Sequence, residues 1–283
     1  MEGGRAWKVD GGGTLPLLSA PSLMIANIIE YKSLVSHFIK KDLKVRYHMS
    51  ILGFGWTLVE PILMTAAFYV LFSVLTQRVE TYGVLKIMVA YMSWIYLQRI
   101  LASSTTMLES KSGLIQAVYF PREIFIFSLV GVEAVTLFLS LLVAIPLLHL
   151  YTISLTWRIV YLPISILLIT LLVTGIGLIT SIIQTRIRDM EYIVKFLIRV
   201  GFWMSPVWYT LESISRVPPE YLDTYLFLNP LAVYLTMGRS AFTGDPLGIS
   251  ETHIFSSVVV SIAMFWIGSI VFMRMEGGAV KYI

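Results

Sequence analysis

Apolar and polar positions alternate along this chain on the scale of whole segments. A helix needs about 20 apolar residues to cross the hydrocarbon core of a bilayer. Six stretches meet that length: Ile51 to Thr76, Ile87 to Leu108, Ile124 to Leu150, Ile159 to Ile183, Tyr192 to Trp208 and Ile254 to Met273. Ahead of them, Ile28 to Lys44 reads as an amphipathic helix. Ile28, Tyr31, Leu34, Val35, Phe38, Ile39 and Leu43 share one broad face, with Ser33, His37, Lys40, Lys41 and Lys44 opposite. The pattern is imperfect, because Lys32 and Asp42 fall on or near the apolar face. An interfacial position is expected, basic face towards anionic lipid; a soluble helix packed on a partner is the alternative. Residues 1–27, Gly-rich at first and interrupted by Pro16 and Pro21, are expected to form a flexible tail.

The stretch after the fifth apolar segment fits none of these classes. Pro206, Pro218, Pro219 and Pro230 divide it into pieces too short to cross, among them Leu211 to Ile214 and Tyr221 to Leu228. Such pieces are tolerated at membrane depth only when buried in protein or facing a watery cavity. The expected form is a re-entrant helical hairpin over 211–238. Its aromatics, Trp208, Tyr209, Tyr221, Tyr225 and Phe227, suit stacking on sugar rings; a solvated loop with a surface helix is the plainer alternative.

Composition agrees with a polytopic membrane protein: 57% of the 283 residues are hydrophobic, 13% are charged and the mean hydropathy is +0.80. Lys and Arg set the orientation. With the amino terminus inside, the inner side holds Lys32, Lys40, Lys41, Lys44, Arg46, Lys111, Arg122, Arg186, Arg188, Arg274 and Lys281, against Arg78, Lys86, Arg158, Arg216 and Arg239 outside. Both termini are therefore expected in the cytoplasm, and the net charge of +4 is assigned to orientation in the membrane, with no nucleic-acid partner. The absence of cysteine excludes disulfides, thiol catalysis and Cys-ligated zinc.

The chain lacks a G-x-x-x-x-G-K-[ST] phosphate loop, an HExxH and a GxSxG motif. No catalytic residue, metal site or cofactor is expected in it, and any energy for work has to come from elsewhere. The turn between the second and third segments offers a point of contact. Gly113 ends one helix, and Leu114, Ile115, Val118 and Tyr119 make a short apolar-faced helix that stops before Pro121. A docking helix and an ordinary interfacial turn fit this pattern equally. Asp189 can cap the fifth segment, and Glu60 precedes a helix-kinking Pro61.

Charges within apolar segments are costly and usually face protein or water. Arg99 sits near the middle of the second segment and Glu133 in the third, where they either pair or meet a substrate. Lys195 and Arg199 stand a turn apart on the fifth. Lys195 reads best as snorkelling to the interface, and Arg199, with Lys195 and Arg46, is a candidate for an anionic head group. Tyr69, Phe72, Tyr91, Trp94 and Tyr96 form an outer aromatic belt or line a path.

Taken in order, KKDLKVRYHMSILGFGWTLVEPILM, VYFPREIF, RDMEYIVKFLIRVGFWMSPVWY and VPPEYLDTYLFLNPLAVYLTMGRSAF resemble the membrane subunit of a type-2 ABC exporter of the polysaccharide-export branch, across about residues 28 to 275. The resemblance implies an all-α, six-span protein of the cytoplasmic membrane. It also implies a homodimer with a channel at its interface and two separate ATPase subunits that carry ATP and Mg. Docking into the ATPase then falls to Leu114 through Glu123, including Phe120, Pro121 and Arg122. The cargo implied is a lipid-linked polysaccharide such as O-antigen or teichoic acid. A drug or free lipid is the alternative cargo, and a membrane-embedded glycosyl- or phosphotransferase the alternative class. His37, His48, His149 and His253 are too dispersed for the latter.

Overall fold

The computed structural model describes residues 19–46, 48, 50–76, 82–118, 120–214 and 217–279, and no strand occurs among them. Tyr119, Arg78, Arg216 and Lys281 lie outside the described residues, as does the tail before Ser19. Thirteen helices follow in order: α1 (Ala20–Glu30), α2 (Lys32–Arg46), α3 (Trp56–Thr76), α4 (Gly83–Thr105), α5 (Met107–Ser110), α6 (Ser112–Ala117), α7 (Glu123–Leu141), α8 (Ala144–Leu150), α9 (Tyr161–Gln184), α10 (Met190–Met204), α11 (Pro219–Leu228), α12 (Pro230–Thr243) and α13 (Glu251–Ala279).

Among the described residues, four units are long and apolar enough to cross a membrane: Gly83–Thr105, Glu123–Leu150, Trp157–Gln184 and Glu251–Ala279. The other two expected spans are shortened at one end. Gly53 takes a left-handed φ of 50° in a 3-10 turn, so the helix expected from Ile51 starts at Trp56. Ser205 is extended ahead of Pro206, which ends α10 after 15 residues, about 22 Å. The tail expected over 1–27 also needs correction, because residues 20–27 are helical. Pro21 lies in the first turn of α1, where its missing N–H costs nothing and its fixed φ favours the helix, so it starts the helix where sequence suggested a break. A separate break at Tyr31 divides the amphipathic stretch into α1 and α2.

The bundle has a proximal end, carrying the α4–α7 connection, α1 and the end of α13, and a distal end, carrying α11, the end of α12 and the loops before α9 and α13. Two apolar cores lie between. The distal core runs from Leu85 to Ile100 on α4 and takes in Leu137, Leu168 to Val173, Ala232 to Met237 and Phe242. The proximal core gathers Met24, Phe38, Leu108, Ile115, Ile124 to Ile126, Leu178, Ile182 and Phe272. α2 lays its half-buried Leu34, Val35, Ile39 and Leu43 and its buried Phe38 towards α7, leaving Lys40, Lys41 and Lys44 exposed. Its contacts advance with those of α7: Phe38 meets Phe125, Ile39 lies over Gly131 and Arg46 reaches Glu133. Protein thus covers the apolar face, while the basic face that sequence assigned to anionic lipid stays open.

Two local devices hold the long helices. Pro61 cannot donate to the Thr57 carbonyl one turn back; the Ser140 hydroxyl on α7 donates to it instead, at 2.9 Å. α9 and α13 cross at Gly175 and Gly268, where a Cβ on either residue would collide with backbone of the opposite helix. Gly175→Leu is expected to lower stability by about 1–3 kcal/mol through overpacking, read as a fall of several degrees in the thermal midpoint in detergent. Gly277→Ala, which meets open space, should leave that midpoint within about a degree.

Candidate functional site

A layer of charge separates the two cores. Glu133, with 1% of its side chain exposed, is bonded by Arg46 from α2 and faces Arg99 from α4 at 4.0 Å. Arg99 also donates to Glu60 of α3 at 2.8 Å, and Arg46 to the Thr136 hydroxyl at 3.4 Å. The pairing of Arg99 with Glu133 expected from sequence is therefore present, but Arg46 and Glu60 complete it as a tetrad drawn from four helices. Two guanidinium groups can converge here only because a buried carboxylate lies between them. Beside the tetrad is a cavity of about 350 Å³ lined by Arg46, Trp56, Thr57, Glu60, Arg99, Ser103 and Glu133.

The height of this layer follows from helix rise. Gly83 to Arg99, Glu60 to Thr76 and Glu133 to Leu150 each cover about 24–26 Å, close to the thickness of a hydrocarbon core. Arg99, placed mid-span by its sequence position, instead stands near the proximal end of α4 (Gly83–Thr105). On α10, Gly201 packs against the Trp94 ring, which sets Lys195 and Arg199 at about the height of Arg99. Both are exposed and stay apart from the tetrad. Lys195 pairs with Glu191 one turn back, and α10 turns Tyr192, Ile193, Phe196, Leu197 and Trp203 outward alongside it.

The proximal turn is a braced lever. Ile115 is buried in the proximal core, with Leu114 packed against it, and Pro121 is buried too. Phe120 packs against Phe38 and, edge-on, against Phe125, with ring centroids at 6.2 and 5.1 Å. Arg122 donates to the Glu276 carbonyl at 3.0 Å and faces its carboxylate at 3.8 Å; buried Glu123 accepts from Asn27 at 2.7 Å. Among the described residues of the turn, Ser110, Gly113, Gln116, Ala117 and Val118 are exposed, Val118 at 53%. The sequence reading identified the turn but missed its anchors, Asn27 and Glu276, which lie 96 and 154 residues from their partners.

Inside the distal half of the bundle α11 and α12 meet at Asn229. Tyr209 and Tyr225, assigned by sequence to sugar contact, direct their hydroxyls to the Met204 carbonyl at 3.2 and 2.9 Å, and the Asn229 amide donates to it at 3.3 Å. They close the end of α10. Trp208 packs between Trp203 and Tyr209, and Tyr221 is exposed. Arg239, counted in sequence as a loop charge, is 5% exposed. Its guanidinium holds the carbonyls of Lys86 at 3.1 Å and Val207 at 2.9 Å, and also that of Pro206. Lys86 faces Asp245 at 3.0 Å across a second cavity of about 300 Å³.

The tetrad predicts unequal costs for its two carboxylates. Glu133→Ala removes the buried partner of two cations and is expected to cost about 3–5 kcal/mol. Glu60→Gln, at a side chain 41% exposed, should stay within about 1 kcal/mol; thermal midpoints of the two variants check the order.

Comparison with known proteins places this geometry. The sequence profile of the ABC-2 type transporter family matches residues 33–243. The O-antigen export system permease protein RfbA of Myxococcus xanthus is 25% identical over 249 residues, covering 88% of this chain and 95% of that protein. Two proteins of the same name from Klebsiella pneumoniae are 26% and 27% identical, covering 78% and 80% of this chain and 85% and 88% of theirs. The match runs from the start of α2 to the end of α12, through the tetrad, the braced turn and the Asn229 corner. This chain is a multi-pass membrane protein and belongs to the ABC-2 type transporter family.

Proposed function

We propose that the chain is the membrane subunit of an ATP-driven exporter that moves a lipid-linked polysaccharide, of the O-antigen or teichoic acid kind, out of the cytoplasm. The O-antigen export permeases it resembles over most of their length support the cargo. Two copies of this chain form the conduit, and two copies of a separate cytoplasmic subunit bind ATP with Mg and hydrolyse it. The proximal end is then cytoplasmic and holds both termini, and the membrane is the cytoplasmic (inner) one.

Connectivity supports six crossings. α9 ends at the proximal side, where Gln184 meets Glu109, and α13 begins at the distal side, where His253 meets Asp223. The chain between them has to traverse the bundle, and α10 is the element that does so. By the same logic α3 carries the chain from the tetrad to the distal start of α4. α11 and α12, with 10 and 14 residues, are about 15 and 21 Å long. They fit a re-entrant pair that seals the distal mouth, since α12 is buried along most of its length. The exposed apolar faces of α3 and α10, with Ile62, Leu63, Val70, Phe196, Leu197 and Trp203, suit a second copy of the chain at the conduit, which Lys195 and Arg199 would border. The exposed lysines of α2 suit anionic membrane lipid.

The observation that carries this reading is the braced turn. An exposed tip at Gln116 to Val118 is tied by Phe120 to α2, by Arg122 to α13 and by Glu123 to α1, so a push on the tip reaches three helices at once. Val118→Asp is expected to reduce copurification with the ATPase subunit at least tenfold while leaving the chain's own thermal midpoint unchanged. Normal copurification of that variant would remove the docking assignment. Arg122→Gln should keep the complex and lower export more than ATP hydrolysis, because the contact surface survives and the tie to α13 does not.

A further inference from the structure

The cavity beside the tetrad has the composition of an anion site whose counter-ion is built in. Arg46 and Arg99 expose 31% and 30% of their side chains and both line the space. Their two carboxylates are not equivalent. Glu133 is 1% exposed and is held between the two cations, whereas Glu60 is 41% exposed and, among the described residues, pairs only with Arg99. Losing Glu133 would strand two like charges; Glu60 can leave Arg99 and remain solvated. With Glu60 turned away, Arg46, Arg99 and Glu133 carry a net charge of +1, set where Thr57 and Ser103 add hydroxyls and Trp56 an aromatic wall.

Height narrows the ligand. The site lies about 24–26 Å from the distal ends of α3, α4 and α8, the level at which the phosphates of one membrane leaflet sit above the hydrocarbon. Guanidinium groups bind phosphate oxygens through paired, charge-assisted hydrogen bonds. Glu60 also immediately precedes Pro61, at the point where α3 has lost a backbone hydrogen bond and is steadied by Ser140. Releasing Glu60 from Arg99 therefore removes a tie between α3 and α4 at the weakest turn of α3.

We propose that Arg46 and Arg99 receive a phosphate group carried on a lipid at head-group depth, with Glu60 as the counter-ion that the phosphate displaces, and that this exchange frees the start of α3. The inference rests on the export reading and assigns it a loading site, so the ligand it favours is the diphosphate of a polyprenyl carrier over the phosphodiester of an ordinary anionic phospholipid.

The test uses the full-length chain in phosphatidylcholine nanodiscs, with farnesyl diphosphate as the probe and farnesol as its uncharged control. Saturable binding of farnesyl diphosphate, with none of farnesol, is expected. Arg99→Gln and Arg46→Gln should each weaken binding at least tenfold, while Glu60→Gln should tighten it three- to tenfold, because the competing carboxylate is gone. Glu60→Gln is the decisive variant, since loss of a merely structural ion pair would not raise affinity. Unchanged or weaker binding in Glu60→Gln overturns the proposal, and so does unchanged binding in both arginine variants. Substituting phosphatidylglycerol for half the disc lipid separates the two sources. Affinity within threefold supports the diphosphate carrier, and loss of probe binding assigns the site to phospholipid head groups and overturns the loading role. Export assayed with the ATPase subunit in proteoliposomes keeps the two readings apart. Wild-type export together with arginine-independent binding removes this site alone, whereas failure of the wild-type chain to associate with any ATPase removes the export reading.

Discussion

The arrangement depends on one buried carboxylate. Glu133 has almost no access to solvent, and an ionised acid in that position is tolerable only when cations and hydrogen-bond donors surround it. Arg46 and Arg99 supply them, one from α2 and one from α4. That requirement fixes where α2 ends, which face α4 turns to α7 and, through Arg99, where Glu60 brings α3 in. The ionic layer sets the register and also marks the boundary between a membrane-sized distal body and a proximal cap.

The division has mechanical consequences. The proximal cap joins the exposed turn to α1, α2 and α13 through rings and ion pairs, so it behaves as one piece. The distal body is closed by a different device, in which polar side chains hold backbone carbonyls: Tyr209, Tyr225 and Asn229 on Met204, and Arg239 on Lys86, Pro206 and Val207. Carbonyls freed at helix ends need donors, and here those donors lock the short helices α11 and α12 over the end of α10. Between these two rigid parts, α3 is held by the exchangeable Glu60 contact and by Ser140 across Pro61. Its tie to α4 is partly exposed, and it adjoins the cavity.

Much of this was legible in the residues themselves. Apolar length alone located the long helices, and the proline spacing after Trp208 marked the two short ones. The alternation at Ser33 to Lys44 gave the buried face of α2. The misreadings have physical causes. Pro21 and Pro16 were weighed as breakers, yet a proline in the first turn of a helix is favourable, and α1 starts there. Sequence places Arg99 mid-span because the apolar run begins at Ile87; a start at Gly83 and an end at Thr105 move it towards the proximal end of α4. Arg239 looked like a loop charge because nothing in its neighbours announces that three carbonyls from distant segments converge on it. Sequence points to the rings of Tyr209 and Tyr225 but gives no sign that their hydroxyls close the carbonyl end of α10. Pairings such as Asn27 with Glu123 and Arg122 with Glu276 leave no local signature at all.

The central claim is that the tetrad lies at the edge of the hydrocarbon and not in its middle, and depth measurement tests it most directly. The chain has no cysteine, so single labels can be read without background at Val135, Phe138, Leu142 and Ile145, all exposed on α7 and α8 or between them. In bilayers with quenchers fixed at known acyl-chain depths, Val135 should be quenched best by the shallowest probe and Leu142 by the deepest, with Ile145 becoming shallower again. A label at Val135 quenched best at the bilayer centre would put Arg46, Arg99 and Glu133 in mid-membrane and contradict the account.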